Sequence, residues 1–339
     1  MEKIRIKLIN TAGRYFEIEN STENPWSKFL EYFTDSGYQF TGQKWNEDFD
    51  VLVTNTHRWR YILQCLLFNI DKSRRILIIW EPKTTRKNVY RPMVIRRYGS
   101  VFVPSKEWLT GKNIKYFPWP QRPAREISSA LPDLSSRKKK AIFVAANKVS
   151  TIPGELYSLR RLVLSNEQSN ELIDVAGPGW NQRKIYIYTN VAKQIIKNGF
   201  TASKLRNLRN LNPSISNYLG FIEKKNDLIR DYQVSLVIEN TPDYVSEKLF
   251  DALDAGAVTV YVGGTLKNFD LPNTMAIQTH PDHLKIIQEI EKLLNLDIET
   301  LRKIQEEQQL QYFKIQHNWN NMRVFHDLAV KIEKVINQN

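Results

Sequence analysis

The sequence predicts an α/β protein of two doubly wound parallel-sheet domains followed by packing helices. Three observations carry this. The chain has 339 residues, which suits two domains at ~150 residues each. Continuous apolar runs alternate with amphipathic stretches in both halves, the pattern of parallel strands covered by helices on both faces. Between the halves, Pro118 to Lys140 is rich in proline and serine and closes on Arg137-Lys138-Lys139-Lys140. Such a stretch reads as an interdomain connection with a solvated, basic end.

Taken in order, Ile4–Ile9 is a strand and Pro25–Phe33 a helix, with Asn24 at its N-cap and Pro25 in its first position. Val51–Thr54 is a strand, Trp59–Ile70 a helix, and Ile76–Trp80 the third strand. After the connection come strand Ala141–Ala145, helix Leu156–Leu164, and strand Leu172–Val175 running into Gly177-Pro178-Gly179. Strand Ser235–Ile238, helix Glu247–Ala255 and strand Val258–Val262 follow. The remainder is helical over His283–Leu294, Ile298–Ile315 and Val324–Ile336, where Val324, Leu328, Ile332 and Val335/Ile336 form one apolar stripe.

Composition narrows the class. With 42% hydrophobic and 25% charged residues the chain can build a core, which excludes disorder. The densest apolar run, Ile76 to Trp80, falls far short of the ~20 residues a bilayer needs. Met1 to Lys7 carries charge where a signal peptide would be apolar. A single cysteine, Cys65, lies in an apolar stretch and reads as a buried thiol. These features predict a cytoplasmic protein, at most peripheral at the inner face of the membrane. The net charge of +13 favours anionic partners.

The run from Asp231 to Gly264 carries the chemistry. A buried strand delivers Glu239 and Asn240 to its C-terminal end. A turn with Pro242, Asp243 and Tyr244 follows, and Ser246 caps a helix whose first turn holds Glu247 and Lys248. Doubly wound sheets bind ligands at that edge. A helix N-terminus offers N–H groups and positive potential to phosphate. Lys248 adds a full charge, and Glu247 can accept from ribose hydroxyls. Together they describe a nucleotide-diphosphate site.

This run resembles the donor-binding signature of the α1,3-fucosyltransferases, glycosyltransferase family 10. The likeness lies in the strand, Glu-Asn, the Tyr-x-Ser-Glu-Lys turn of residues 244–248, and the Ala-Gly strand entry at 255–256. It extends to Tyr218-Leu219-Gly220, Lys225, Tyr232, Asn147-Lys148, Arg160-Arg161 and Asp174 through Trp180. Islands remain in the first half at Trp80-Glu81-Pro82 and Val101 to Pro104. Two departures fall within strands: Thr259 stands where the family has proline, and Gln233-Val234 where it has Lys-Phe. The anchor, stem and paired cysteines of animal members are missing, so the likeness is to soluble bacterial-type enzymes.

The resemblance implies a GT-B-like fold, two Rossmann-type domains about a central cleft. Residues 1–136 would be the acceptor-side domain, 137–315 the GDP-sugar domain, and 316–339 a helix packing back on the first. It implies an inverting transfer of L-fucose from GDP-β-L-fucose to a hydroxyl of an oligosaccharide or lipid-linked glycan, α1,3 to a GlcNAc- or Glc-type residue. Another GDP-sugar is the alternative donor. Glu81 would be the catalytic base, with Glu17, Glu19 and Asp48 next in line. The donor set would be Asn147, Arg160 or Arg161, Lys225, Glu239, Asn240, Tyr244, Ser246, Glu247 and Lys248. No cofactor is required; manganese or magnesium would act only as a stimulant of diphosphate departure.

Rival signals are weaker. Asp48-Phe49-Asp50 has the spacing of metal-dependent transferases of another fold, and His280-Pro281-Asp282-His283 is a turn with two imidazoles. Neither has the supporting ligands of a metal site. The basic runs Arg74-Arg75, Arg137–Lys140 and Arg96-Arg97 beside Tyr98 would suit a binder of acidic polymers, but no nucleic-acid motif accompanies them, and nucleic acid is not expected as a partner.

Overall fold

In the computed structural model residues 3–9, 25–42, 45–118, 133–181 and 215–338 are described, with five positions between 189 and 196. The chain divides into two compact units, Met1–Ala124 with Gln316–Asn339, and Arg125–Ile315. Asn24, Glu17 and Glu19 lie outside the described residues.

In the first unit six parallel strands are ordered β2-β1-β3-β4-β5-β6. They are β1 (Arg5–Ile9), β2 (Gln39–Phe40), β3 (Val51–Thr54), β4 (Arg75–Ile78), β5 (Ser100–Val103) and β6 (Ile114–Tyr116). Helices α1 (Pro25–Asp35), α2 (Trp59–Leu67) and the short α3 (Lys83–Arg86) and α4 (Pro92–Ile95) connect them. The apolar faces of the central strands explain this order: Ile6, Val53, Ile76 and Phe102 are all fully buried. Two elements end earlier than the sequence predicts. α2 stops at Leu67 because Asn69 turns left-handed, with φ 53°. β4 stops at Ile78, after a last bond from the Ile79 N–H to the Phe102 carbonyl at 2.8 Å.

The second unit holds a parallel sheet ordered β11-β10-β9-β7-β8. Its strands are β7 (Lys138–Val144), β8 (Ile173–Ala176), β9 (Tyr232–Ile238), β10 (Val258–Val262) and β11 (Ile277–Gln278). Helices α5 (Tyr157–Leu164), α6 (Glu167–Leu172), α7 (Lys225–Arg230), α8 (Glu247–Asp254), α9 (His283–Leu294) and α10 (Ile298–Trp319) pack around it. β7 runs first, β8 lies on one side and β9 on the other, so the order reverses between β7 and β9. That switch point is where such sheets hold ligands.

The chain then returns to the first unit as α11 (Asn321–Asn337). Its stripe of Val324, Leu328 and Ile332 enters one core with Trp26, Phe29 and Phe33 of α1. Tyr32 donates to Glu333, and Tyr38 to Asn337 at 3.2 Å.

The basic run corrects the sequence reading. Arg137 to Lys140 leads into and opens β7; Lys138 and Lys139 are solvated as expected, but Arg137 is not. Arg137 is 6% exposed and donates to the carbonyls of Gly256 and Tyr232 at 2.9 and 3.3 Å. Lys138 lies over the Tyr232 ring, and Lys140 pairs with Asp174 at 2.9 Å. Burial of an arginine against backbone carbonyls depends on residues about a hundred positions away, which local composition cannot register. Tyr98 is fully buried as well, so it offers no ring to a nucleic-acid base beside Arg96-Arg97.

Three glutamines of α10 complete the sheet edge. Gln308 accepts from the Thr259 N–H at 2.8 Å and donates to the Thr259 carbonyl at 3.1 Å, standing where a neighbouring strand would pair. Gln305 donates to the Gly256 carbonyl at 2.5 Å and Gln309 to that of Leu253 at 2.8 Å. Gly256 takes the left-handed conformation, φ 66°, that presents its carbonyl to both Gln305 and Arg137. The amide pairing also explains why Thr259 is admissible where the resembled family has proline. A residue with an N–H needs an acceptor there, and Gln308 supplies it. Gln308→Leu leaves both backbone groups of Thr259 buried and unpaired. It is expected to cost about 1–3 kcal/mol, read as lost hydrogen-exchange protection in β10 with unchanged protection in β3.

Candidate active site

The site begins with the strand that delivers it. All of β9 is buried, and at its end Glu239 is 0% exposed. A buried carboxylate must be paired or hydrogen-bonded. Ser246 meets that need, donating its N–H to Glu239 Oε1 at 2.7 Å and directing its hydroxyl at both oxygens. The same hydroxyl caps α8, accepting from the Lys248 N–H at 3.4 Å and from Lys248 Nζ at 2.9 Å. Lys248 Nζ also lies 3.5 Å from Glu247 Oε1 and 3.9 Å from Glu239 Oε2. A side chain at Gly263, just past β10, would run into the Tyr261 ring and hydroxyl and place its Cβ 2.9 Å from Glu239 Cγ, so this position takes a residue without one.

The two glutamates are held differently. Burial raises the Glu239 pKa, opposed by Lys248 and the Ser246 N–H. Desolvation also acts upward on Glu247, but Lys248, its own backbone N–H at the helix start and Lys225 outweigh it and hold that carboxyl below its ordinary value. Glu247 is thus ionised at neutral pH, its side chain 43% exposed. Lys225 of α7 pairs with Asp251 of α8 at 3.2 Å. Lys225, Lys248 and Asp251 line one recess along β9 with Ile229.

The arginines separate. Arg160 is 1% exposed; its guanidinium donates to the Ile238 carbonyl at 2.5 Å and to Asn240 Oδ1 at 3.0 Å, with Tyr157 beneath it. Arg161 is 0% exposed and donates to the Lys148 carbonyl at 2.7 Å. Burial lowers both pKa values, that of Arg161 to about 10, which leaves Arg161 charged at neutral pH. Asn147 follows β7 and donates to the Gly179 carbonyl at 3.1 Å. The loops after β7 and β9 meet where the Leu156 N–H bonds the Asn240 carbonyl at 3.0 Å. Tyr244 is 3% exposed, its carbonyl accepting from Tyr261 at 3.2 Å.

Glu239, Asn240, Ser246, Glu247, Lys248, Lys225 and Arg160 therefore come together at one sheet edge, the switch point between β7 and β9. Arg161 and Asn147 anchor the neighbouring loop. Glu81 belongs to the first unit, three residues beyond β4, where Tyr90 donates to its carbonyl at 2.5 Å. Sequence reasoning assigned no role to Glu155 or Thr241. Glu155 is 6% exposed with one oxygen accepting from Ser158 N–H at 3.0 Å; among the described residues its Oε1 has no partner, nor does the Thr241 hydroxyl, 3% exposed. Their place after β7 and β9 was the available signal.

No family model matches the sequence, and no curated protein matches it. Solved structures do. A crystal structure of an α1,3-fucosyltransferase aligns over 99% of this chain and 91% of its own, with TM-score 0.58 and 15% identity. A glycosyltransferase from Rickettsia africae aligns over the whole of both chains, with TM-score 0.56 and 12% identity. Anabaena HepE in complex with UDP and glucose aligns over 98% of this chain and all of its own, with TM-score 0.54 and 10% identity. The fold is GT-B. Within this GT-B chain, no described helix is long and apolar enough to cross a membrane. Among the described residues no three His, Cys, Asp or Glu side chains group as metal ligands. Asp50 is engaged bidentately by Arg5 at 3.2 Å, and Asp282 caps α9.

Glu239 yields a pH test. A carboxyl with a raised folded pKa gives stability that is full below its unfolded value of about 4.5 and is lost as pH rises through the folded value. Wild-type protein should lose melting temperature across that window relative to Glu239→Gln, which has no carboxyl to titrate. A pH-independent difference between the two melting curves would contradict the assignment.

Proposed function

We propose that the chain is an inverting glycosyltransferase that moves L-fucose from GDP-β-L-fucose to a hydroxyl of an oligosaccharide or lipid-linked glycan acceptor. One observation carries the reading. The capped start of α8 holds Lys248 among Ser246, Glu239 and Glu247 at the switch point of a GT-B fold, within the run that resembles family 10. The positive end of α8 and the ammonium suit a diphosphate, and ionised Glu247 suits ribose hydroxyls. Glu239 sits beneath them and fixes Ser246. Arg160 holds Asn240 at the end of β9. Arg161 secures the adjoining loop through Lys148.

Inversion in one displacement needs a base for the acceptor hydroxyl and charge stabilisation for the departing diphosphate. Lys248 supplies the second role. Glu81 supplies the first. No resident cofactor is required, and a divalent cation would only assist diphosphate departure.

Lys248→Ala is expected to weaken GDP binding by about tenfold or more, as loss of a charge-assisted contact implies, in a protein that remains folded. Calorimetry measures it, and unchanged affinity would remove the diphosphate role.

Glu81→Gln is expected to leave GDP-fucose affinity intact and to lower kcat by ~10²–10⁴-fold. Turnover near normal at saturating donor and acceptor would move the base to another first-unit carboxylate, Asp48 first. A screen of GDP release from GDP-fucose and GDP-mannose settles the donor; preference for GDP-mannose would replace the fucose reading.

A further inference from the structure

α2 is apolar on two faces. Tyr61, Ile62 and Cys65 are buried against the first unit, as an amphipathic helix requires. The opposite face is also apolar: Trp59 is 49% exposed, Leu63 53%, Leu66 55% and Leu67 67%. At i, i+4, i+7 and i+8 these four form one continuous ridge. Single exposed leucines need no explanation, but a contiguous apolar ridge marks a surface that something covers.

The ridge has a cationic flank, while Glu47 and Asp48 follow Trp45, whose carbonyl accepts from Gln64 of α2. Arg58 and Arg60 are exposed beside it on the same helix, and residues 51–70 contain no acidic residue. Arg97 stacks on Trp59 at 4.2 Å from the ring centre, which brings the segment around α4 alongside. Residues 82–106, which include that segment, carry seven lysines and arginines and no acid. Arg96 and Met93 are exposed there.

We infer that α2 and the basic segment beside it form a docking surface for an anionic lipid bilayer. An apolar ridge with a cationic flank fits the headgroup boundary, where acyl chains take the leucines and anionic headgroups take the arginines. A second copy of the chain is disfavoured, since a two-fold contact through this patch would set like charges against each other. Nucleic acid is disfavoured too, since three of the four ridge residues are leucines and Arg97 already covers the Trp59 ring. The surface does not depend on the donor chemistry.

The test is co-sedimentation of the full chain with vesicles of phosphatidylcholine, with and without phosphatidylglycerol, in the absence of nucleotide. Wild-type protein is expected to sediment only with the anionic vesicles and to be released by salt. Leu63→Ser/Leu66→Ser/Leu67→Ser and, separately, Arg58→Gln/Arg60→Gln/Arg96→Gln should each lose about tenfold or more in vesicle affinity. All six side chains are exposed, and an unchanged thermal melt confirms folding; either triple variant alone decides the matter. No wild-type sedimentation, or undiminished sedimentation of a folded variant, would overturn the proposal. A dimer that the leucine variant dissociates, with no vesicle binding by either protein, would give the ridge to a second copy instead. Because no nucleotide is present, such failures leave the transferase reading standing.

Discussion

A carboxylate buried at the end of a strand has few ways to exist, and the region around Glu239 is arranged by that constraint. Its oxygens need donors that the sheet cannot supply, since β9 ends there. The chain provides them by turning back within seven residues and placing Ser246 beneath the next helix. One hydroxyl then serves three partners, satisfying the glutamate, capping α8 and receiving the Lys248 ammonium. The position of Lys248, its exposure at the helix start and the ionisation of Glu247 all follow from that turn.

The same logic of satisfied buried polar groups supports the far end of α8. There the carbonyls of Leu253 and Gly256 and both backbone groups of Thr259 would be stranded between helix and sheet. Gln305, Gln308, Gln309 and Arg137 reach them from two distant segments. α8 is thereby fixed at both ends by side chains rather than by the ladder. Under the proposed function α8 presents charges to a diphosphate and gains from being held this way, because misplacement of such groups is costly in rate.

The long apolar strands were legible. β3 and β10 have the bounds the hydrophobic pattern predicts, and the Ser246 cap follows from its place before Glu247-Lys248. The two- and three-residue strands β2, β6 and β11 were not legible, because so few residues show no period. Gln305, Gln308 and Gln309 read as an ordinary polar helix face, since only the partner carbonyls reveal that the face is buried. The burial of Arg137 was missed for the same reason. Of the candidate site, the run from Asp231 to Gly264 was visible as a block of residue types at fixed spacing. The division of labour between Arg160 and Arg161 was not, because adjacent helical residues point apart and only tertiary contacts say where each leads.

α11 has a consequence for how the protein is made. The first unit closes its core with Val324, Leu328 and Ile332, which leave the ribosome only after the whole second unit. Until then Trp26, Phe29 and Phe33 wait without their covering helix. The unit that begins the chain is thus the last to be finished, and a nascent chain carries an open apolar groove through most of its synthesis. Such intermediates are where chaperones bind and where aggregation starts. An arrest or cleavage near residue 315 would spare most of the second unit and leave its companion incomplete.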